Sequence, residues 1–540
     1  MRNPRAQSSL RWTIPSALMA AVLLVPIATV LYALVEPSGP AWEHLKSTVL
    51  ADYVVNSVLL MLLTAALSFV IGVSTAWLVA CCQFPGRATF SWLLMLPLAA
   101  PAYVIAYTYT DLLDVSGPIQ MTLVGWLSLS PGDLPLPAVR TLPGAAVLLS
   151  LVLYPYVYLL ARNSFANRSA LQFDAARSLG RGPYYAFFRV ALPGARPAIA
   201  GGLALVMMET LADFGVVDYF SVPTLSTGIY RTWIGLGDKA AALKLAALML
   251  LFVFVLLMME RASRKGGVDR GDVSRAAPIQ LRGRKAFAAI LVCVLPVLLG
   301  FAIPAITLLI MAVTDGDPLL GRSFGQYVNN SVTVSILAAV IATMMALMLA
   351  YAQRQNPSRL NSSLIRLATL GYALPGILLA VALISPVAAL DRWFVSIGIS
   401  EGGINSILAG TIFALMYAYV CRFLTVAYQS VDAGLAGISS DIDAAARTLN
   451  ASSLKIMGRI HLPMLRPSLL AAAMLVFVDV MRELPATLIL RPFNFDTLAT
   501  RVYRLASDEK LADASTAALC IVAVGVIPVL ILNWLGSRKR

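Results

Sequence analysis

The sequence predicts an all-α integral membrane protein of about twelve transmembrane helices in two tandem homologous halves. Two observations lead to this fold class: the composition and an internal repeat. Hydrophobic residues make up 59% of the 540 residues and charged residues 13%, with a mean hydropathy of +0.80. A soluble domain has roughly 25% charged residues, so this composition indicates a chain surrounded by lipid.

The repeat is clearest in an alanine-rich motif followed by a Leu-Pro pair. The segment DAARSLG at 174–180 precedes Leu192-Pro193, and AAARTLN at 444–450 precedes Leu462-Pro463, 270 residues later. Similarity continues on both sides of the motif, which distinguishes a duplicated domain from a chance match. The flanking pairs of similar segments are 53–57 with 327–331, and 224–231 with 497–504.

These offsets divide the chain into two halves of similar length. The first half is predicted at 1–259, a flexible cytoplasmic linker at 260–285, and the second half at 286–540. A solenoid would repeat every 20 to 50 residues or so, whereas here one large unit occurs twice. We therefore expect two similar membrane domains fused in tandem.

Apolar runs long enough to cross a membrane occur six times in each half. A spanning helix needs about 20 mainly apolar residues. The proline-rich stretch 114–142 is assigned no span and has room for a re-entrant or interfacial turn. The predicted spans lie near 14–34, 54–82, 91–110, 143–161, 197–217, 243–259, 286–312, 329–352, 365–390, 404–428, 468–490 and 515–535.

Basic residues indicate which side of the membrane the loops occupy. Three arginines precede the first span, six lie in 162–196, eight basic residues lie in 260–285, and the chain ends in Arg-Lys-Arg. Since Lys and Arg accumulate in cytoplasmic loops, both termini and both repeated loops are predicted to be cytoplasmic. The same bias, with contact to anionic lipid, explains the net charge of +14 without a nucleic acid partner.

Enzymatic motifs are missing from the sequence. The five cysteines and two histidines have no metal-ligand spacing, and there is no Walker A, H-E-x-x-H or G-x-S-x-G pattern. We therefore predict that the chain is not an enzyme, has no catalytic residues and holds no stable cofactor. A secondary transporter of twelve helices would also show duplication, but would have no reason to repeat a loop of this kind.

Local chemistry predicts that each repeated loop is a helix, a bend and a second helix. The residues before Gly180 are good helix formers, and glycine readily takes the positive φ that ends a helix. Asn450 replaces it in the second copy, and asparagine is the residue that next most readily enters the left-handed region. We expect the bend to survive this substitution.

The repeated loop resembles the EAA loop of binding-protein-dependent ABC importer permeases, with matching spacing. The first copy has Asp174 where the family usually has Glu, and the second has Ala444 there, preceded by Asp441 and Asp443. The resemblance implies that 170–197 and 440–467 dock on a cytoplasmic ATPase. The docking residues it implies are Asp174, Ala175, Ala176, Gly180, Leu192, Pro193, Ala445, Ala446, Asn450, Leu462 and Pro463.

The resemblance also implies partners and location. The protein would be a multi-pass permease in a bacterial inner membrane, working by alternating access, with a periplasmic binding protein outside and two ATPase copies inside. ATP would be bound and hydrolysed on the partner subunits. Because one chain supplies both halves, one copy per complex is expected.

Three further segments are similar to ferric-iron permeases of the fused, two-half type: 189–199, 208–215 and 227–231. This resemblance implies Fe³⁺ as cargo, delivered by a periplasmic ferric-binding protein. Related permeases for thiamine, polyamines, sulfate or phosphonates share the loop and stay open as alternatives.

Four acids provide a test of the iron interpretation that does not depend on the family. Glu209 and Asp213 lie four apart on the fifth predicted span, and Asp479 and Glu483 occupy the corresponding positions 270 residues later. Residues four apart share a helix face, intramembrane acids usually line a pathway or pair with one another, and oxygen donors suit a hard cation. We predict that all four line the route, with Glu209 and Asp479 contacting iron transiently.

Other interpretations of these side chains stay open. Asp213 and Glu483 fit the outer, hydrated end of the span, and Arg482 is available as an ion-pair partner for Glu483. Tyr219, Tyr230 and Tyr503 are candidate helpers in the pathway, although tyrosine is also common at membrane interfaces.

Overall fold

The structure is a computed structural model that describes residues 4–37, 39–128, 138–166, 185–264, 279–314, 322–399 and 407–537. Almost all described residues outside short connections are helical. The helices up to residue 264 are α1 (Pro4–Tyr32), α2 (Pro40–Thr48), α3 (Leu50–Cys81), α4 (Arg87–Leu93), α5 (Ala102–Leu113), α6 (Pro118–Leu127), α7 (Leu142–Ala166), α8 (Leu192–Ala212), α9 (Gly215–Tyr219), α10 (Leu225–Tyr230) and α11 (Lys239–Arg264).

The described helices from residue 284 onward are again a mixture of long and short ones. They are α12 (Arg284–Val297), α13 (Ile303–Thr314), α14 (Arg322–Gln355), α15 (Arg359–Ala368), α16 (Gly376–Ser396), α17 (Ile412–Ala436), α18 (Ser440–Thr448), α19 (Ser453–Ile456), α20 (Leu462–Met481), α21 (Pro485–Leu490), α22 (Leu498–Ser507) and α23 (Leu511–Ser537). Tight 3₁₀ turns occupy Leu96–Ala99 and Gly371–Ala373, and wider π-type turns occupy Ala186–Ala191, Arg231–Gly235, Leu298–Ala302 and Met457–His461.

By length and composition, eleven helical segments in the described residues are able to cross a membrane. A twelfth span is formed if the pair Arg87–Ala99 and Ala102–Leu127, bent by 88°, counts as one broken span rather than a re-entrant loop. The all-α membrane fold predicted from the sequence is therefore confirmed. Part of the proline-rich stretch forms α6, and residues 129–137 lie outside the described residues.

Two of the predicted spans are interrupted at matched prolines. Pro101 precedes α5 with ψ of 139°, and Pro375 precedes α16 with ψ of 141°. Both backbones are extended, and proline has no N–H with which to continue the preceding helix. The apolar runs predicted at 91–110 and 365–390 are therefore each divided by a proline at which a new helix starts.

Two compact units make up the chain, and both are built from discontinuous segments. The first-half unit comprises Pro40–Leu236, Leu248–Pro318 and Arg501–Arg540, and the second-half unit comprises Met1–Gly39, Gly237–Ala247 and Leu319–Thr500. Within the second-half unit α1 packs against α14, α15 and α16, and within the first-half unit α13 packs against α5 and α23. Each unit thus contains the first predicted span of the other sequence half. The boundaries of the halves at 259 and 286 stay predictions.

Each unit is centred on three long helices that pack on one another. These are α3, α7 and α8 in the first-half unit, and α14, α17 and α20 in the second-half unit. A Cβ on Gly72 would lie 2.8 Å from the Cβ of Val157, and a Cβ on Gly202 would lie 2.8 Å from its Cα. Small residues at such contacts let membrane helices approach closely, which explains glycine on both neighbours of α7.

The repeated segments that flank the motif contact each other in each unit. Asn56 donates to the Pro223 carbonyl at 3.0 Å, and Asn330 donates to the Asp496 carbonyl at 2.9 Å. The next residue, a serine in both halves, accepts the first N–H of α10 or α22 at 2.9 or 2.8 Å. The sequence similarity of these segments therefore preserves a side-chain contact that caps a helix.

The end of the predicted linker is paired with the first half. Ile279–Gln280 forms a two-residue strand, β2, parallel to β1 at Cys82–Gln83. Leu281 N–H also donates to the Gln83 carbonyl at 3.0 Å. Residues 279–281 are therefore fixed to the first half, whereas 265–278 lie outside the described residues, and the linker at 260–285 stays a prediction.

Candidate functional site

The second predicted docking loop, 440–467, consists of two helices joined by a bend. α18 begins after Ser439, whose hydroxyl accepts the N–H of Asp441 at 3.2 Å. α19 begins after Ser452, whose hydroxyl accepts the N–H of Lys455 at 3.4 Å. From there the chain stays helical through Met457–His461 into α20. The helix-bend-helix prediction is confirmed for this copy.

Asn450 forms the bend in a left-handed conformation with φ of 55°. Its N–H donates to the Arg447 carbonyl at 3.0 Å, and the N–H of Ala451 donates to the Ala446 carbonyl at 3.1 Å. This pair of bonds is the Schellman arrangement, which satisfies carbonyls at the end of a helix. The expected use of asparagine in place of glycine is therefore confirmed.

Apolar side chains are exposed around this bend. Leu449 is 83% exposed and Leu454 is 65% exposed. Ala445, Leu462 and Pro463 are exposed as well, whereas Ala446 packs inward. Exposed apolar side chains rimmed by polar residues are typical of a protein interaction surface.

A buried charged network anchors the loop to α14. Arg354 lies near the end of α14, and its Nε donates to Asp443 Oδ2 at 2.7 Å. The same guanidinium donates to the carbonyls of Leu435, Ile438 and Ser439 at 2.7, 3.0 and 3.1 Å. A single arginine thus holds both the end of α17 and the start of α18.

His461 completes this network from the far side of the bend. Its Nε2 lies 2.6 Å from Asp443 Oδ1, and the imidazole is fully buried. A carboxylate only accepts hydrogen bonds, so the proton lies on Nε2. Burial raises the pKa of Asp443, but the hydrogen bond and charge of Arg354 together with His461 outweigh it and hold that pKa below its usual range.

Only the end of the first predicted docking loop is available for comparison. Asp174, Ala175, Ala176 and Gly180 lie outside the described residues. Leu192 and Pro193 begin α8 directly after the π-type turn Ala186–Ala191. Their predicted docking role stays a prediction.

The described surroundings of the first loop are aromatic. Trp77 packs edge-on against Phe165 with ring centroids 5.7 Å apart, and tilted against Phe187 at 5.0 Å. Trp77 corresponds in the repeat to Tyr351, which packs against His461 at 5.6 Å and donates to the Ser453 carbonyl at 2.6 Å. The two loops are therefore held by different chemistry at matched positions.

The two acids of the first half lie at the end of α8. Glu209 is in its last turn and is partly exposed. Asp213 follows the helix, and its Oδ2 accepts the N–H groups of Val216 and Val217 at 3.1 and 3.2 Å. Asp213 therefore caps α9, and its Oδ1 has no hydrogen bond to any described residue.

The two acids of the second half are both in ion pairs. Asp479 Oδ1 lies 2.6 Å from Arg482 Nη2. Glu483 is buried and lies 3.3 Å from Arg422 Nη1, and it also accepts the N–H groups of Ala486 and Thr487 at 3.0 and 3.1 Å. The alternative of an Arg482 pair with Glu483 is wrong, because Arg482 turns back one helical turn to Asp479.

The geometry separates the predicted pathway acids into two kinds. Asp213 and Glu483 cap the short helices that follow them, whereas Glu209 and Asp479 do not. Across the described ranges, no group of three or more His, Cys, Asp or Glu side chains is placed to hold a metal ion. The transient iron contact of Glu209 and Asp479 stays a prediction.

Sequence reasoning missed the Arg354 network and the partner of Glu483. Asp443 had been noted beside the alanines, and His461 is one of two histidines, but the residues of each network are far apart in the chain. The pairs Arg354–Asp443 and Arg422–Glu483 are separated by 89 and 61 residues. A buried ionisable residue next to a docking motif was the available signal.

Known proteins resemble this chain in two ways. Residues 341–540 match the family described as binding-protein-dependent transport system inner membrane component. The Fe(3+)-transport system permease protein FbpB 2 of Haemophilus influenzae is 25% identical over 497 residues, which cover 90% of each chain. The ferric transport system permease protein FbpB of Actinobacillus pleuropneumoniae is 22% identical over 83% of this chain and 65% of its own length.

A shorter relative matches part of the chain. The molybdenum transport system permease protein ModB of Escherichia coli is 26% identical over 39% of this chain and 93% of its own length. Such a relative corresponds in size to one half of the chain. This agrees with an internal duplication of a permease unit.

The fold, the repeated loop and these similarities define a multi-pass transport permease of the inner membrane. Residues 341–540 match the inner membrane component of binding-protein-dependent transport systems, and over 90% of its length the chain is similar to a ferric permease, whose single chain is long enough for two permease halves. The family implies a periplasmic binding protein and an ATPase as partners.

Proposed function

We propose that this permease moves ferric iron from a periplasmic binding protein to the cytoplasm. The observation that carries the proposal is the extent of similarity to a Fe(3+) permease, which covers 90% of both chains. The molybdenum relative covers 39% of this chain. A cargo inferred from the full-length relative accounts for both halves together.

Coupling to ATP hydrolysis is assigned to the two repeated loops. In the second loop, Leu449 and Leu454 provide exposed apolar contacts, and Arg354 and His461 fix α18 to the ends of α14 and α20. A partner that moves α18 therefore also moves these long helices. This is the mechanical property that alternating access requires of a docking loop.

The proposed assembly contains one fused chain and two ATPase copies, one for each loop. ATP is bound by those copies, and the periplasmic partner is a ferric-binding protein. Each half of the chain supplies one loop, so a second permease chain is not needed. Mass measurement of the purified complex tests this stoichiometry.

The cargo is tested by uptake into proteoliposomes. The chain, its ATPase and its iron-loaded binding protein are reconstituted with ATP, and uptake of radioactive iron is measured. We expect ATP-dependent iron uptake that excess thiamine, spermidine, sulfate, molybdate or phosphonate does not inhibit. Uptake of one of those compounds in place of iron would overturn the cargo while leaving the importer class intact.

The pathway role of Glu209 and Asp479 is tested in the same vesicles. Glu209→Gln and Asp479→Asn keep the side-chain shape and remove the charge. We expect slower iron uptake at an unchanged amount of assembled complex. Wild-type uptake by both variants, with ATP hydrolysis still coupled, would exclude the two acids from the route.

A further inference from the structure

A cluster of tyrosines and acids lies at the end of α8 in the first-half unit. Tyr107 on α5 packs edge-on against Tyr219 at the end of α9, with ring centroids 4.4 Å apart. Tyr503 on α22 donates its hydroxyl to Asp218 Oδ2 at 2.6 Å. Phe214, the residue after Asp213, packs against the Tyr503 ring with centroids 6.0 Å apart. Side chains of α5, α9 and α22 therefore lie next to one another beside the Asp213 bend.

The Tyr107 hydroxyl is the unexplained group of this cluster. Its side chain is 1% exposed, and its oxygen has no hydrogen-bond partner among the described residues. A buried hydroxyl without a partner destabilises the folded protein, and phenylalanine would fill the same space without that cost. Other buried hydroxyls also lack a partner, but the Tyr107 ring packs on Tyr219, next to the Tyr503–Asp218 pair, so this hydroxyl is available to an ion held there.

The other residues of the cluster are partly exposed, and one carboxylate oxygen among them has no partner in the described structure. Asp213, Asp218, Tyr219 and Tyr503 are each partly exposed. Asp213 Oδ2 is used by the cap of α9, which leaves Oδ1 available. An ion passing these residues would thus meet a carboxylate and phenols before reaching the buried Tyr107.

Two arginines lie beside the cluster, one paired with Asp218 and the other with Glu509. Arg231 Nη2 lies 3.5 Å from Asp218 Oδ1, and Arg140 Nη2 donates to Tyr219 at 3.2 Å. Both arginine side chains are more than 40% exposed, so they are free to turn toward water. Their positive charge opposes long residence of a cation, as a conduction site requires, because an ion must also leave.

We propose that Tyr107, Tyr503 and Asp213 form a transient coordination site for a hard trivalent cation, with Asp218 positioning Tyr503. The inference rests on the proposed ferric cargo and names a site for it. Carboxylate oxygens suit hard cations, and iron is also bound by tyrosine oxygen in proteins. Tyr107 and Tyr503 each lose a proton when their oxygen binds the metal. Asp218 is placed to accept the proton of Tyr503, and the proton of Tyr107 passes to the carboxylate of the carrier ligand that the iron leaves.

The site has no equivalent at the matched positions of the second half. Val381 stands where the repeat places Tyr107, and Leu488 where it places Asp218. Glu483, the counterpart of Asp213, is held by Arg422. The proposed site therefore belongs to the first-half unit, which contains Tyr503 as well as Tyr107 and Asp213.

Iron bound to phenolate gives a visible charge-transfer absorption, and this signal reports the site without transport. The purified complex in lipid nanodiscs is titrated with ferric nitrilotriacetate. We expect a saturable band equivalent to one iron per chain. Tyr107→Phe, Tyr503→Phe and Asp213→Asn should each weaken iron binding by about tenfold or more. Tyr107→Phe should also raise the melting temperature, since it removes an unpartnered buried hydroxyl.

Tyr154→Phe is the matched control, because Tyr154 is fully buried and its hydroxyl also has no partner among the described residues. It should keep the wild-type band and iron uptake. Iron uptake without a band, or with a band that Tyr107→Phe retains, overturns the site and leaves the ferric cargo standing. A band that the three variants lose, in a complex that takes up another compound and no iron, supports the metal site and overturns the cargo.

Discussion

Asp213 and Glu483 occupy matched positions of the repeat, and each accepts two N–H groups of the short helix that follows. The two carboxylates differ in their exposure and in their basic partners. Glu483 is 2% exposed at its side chain and paired with Arg422, whereas Asp213 is partly exposed and has no basic partner within 4.0 Å among the described residues. Both halves keep this helix cap, but they differ in whether an arginine pairs with the capping carboxylate. The first half keeps a carboxylate available, and the second has a structural ion pair.

The two predicted docking loops also differ in the side chains that lie against them. The second loop is held by the Arg354 network, and the matched position in the first half is Ala80. There the described contacts are those of Trp77 with Phe165 and Phe187. The described contacts at these matched positions therefore differ, while the first copy of the motif lies outside the described residues.

The largest expected effect is on stability when the second-half acid is removed. Glu483→Ala leaves the Arg422 charge buried and unpaired, and should cost about 3–5 kcal/mol. Asp213→Ala loses a cap and should cost about 1 kcal/mol. Thermal unfolding of the purified variants measures the difference. Equal losses would contradict the contrast between the two acids.

A double variant sharpens this test. Glu483→Gln combined with Arg422→Met removes both charges and keeps much of the packing volume. Replacing a buried ion pair by neutral groups is often nearly neutral, so the double variant should be clearly more stable than Glu483→Ala. If the double variant is as unstable as Glu483→Ala, the broken ion pair is not the cause of the lost stability.

The next effect concerns the attachment of the second loop. Arg354→Ala leaves Asp443 without its main partner and should cost about 3 kcal/mol in this region. Hydrogen exchange over 440–461 should rise, and capture of the ATPase by the permease should fall. Arg447→Ala is the control, since Arg447 is exposed and bonds only the Gln355 side chain in the described structure. Unchanged hydrogen exchange in Arg354→Ala would show that the Arg354 network does not hold the loop.

A smaller effect is expected at the exposed surface of the loop. Leu449→Ser changes an 83% exposed side chain, so the melting temperature should stay constant. Burying a leucine in an interface contributes about 1.5–3 kcal/mol, so ATPase affinity should fall by about tenfold or more. Phe493→Ser is the control, because Phe493 is 93% exposed and follows α21, which comes after the end of α20 that is distant from the loop. Equal effects of both changes would show that exposed apolar area alone, and not the loop, sets the affinity.

The smallest effect is at the bend. Asn450 has φ of 55°, where alanine costs about 1 kcal/mol more than glycine. Asn450→Gly should therefore keep the stability of the loop, and Asn450→Ala should lower it slightly. Hydrogen exchange of Ala451, whose N–H closes the bend, measures this difference. Faster exchange in the glycine variant than in the alanine variant would contradict a conformational role for this residue.

Features encoded by short segments were predictable from the sequence. The spans follow from apolar runs, the bend from asparagine in a glycine position, and the duplication from matched spacing. Arg354, Arg422 and Tyr107 were not predictable, because their partners come from distant helices and no local pattern selects one among many arginines or tyrosines. The exchange of leading spans between the units escaped prediction for the same reason, since apolar runs do not specify which apolar face they contact.

Site-specific crosslinking of the second loop tests the central claim most directly. A cysteine at the exposed position of Ala445 in a cysteine-free chain is treated with a short crosslinker in the assembled complex. Ala445→Cys should crosslink to the ATPase, and Phe493→Cys should not. Crosslinking of Phe493→Cys alone, or of neither position in an intact complex, would contradict the docking of this loop on the ATPase.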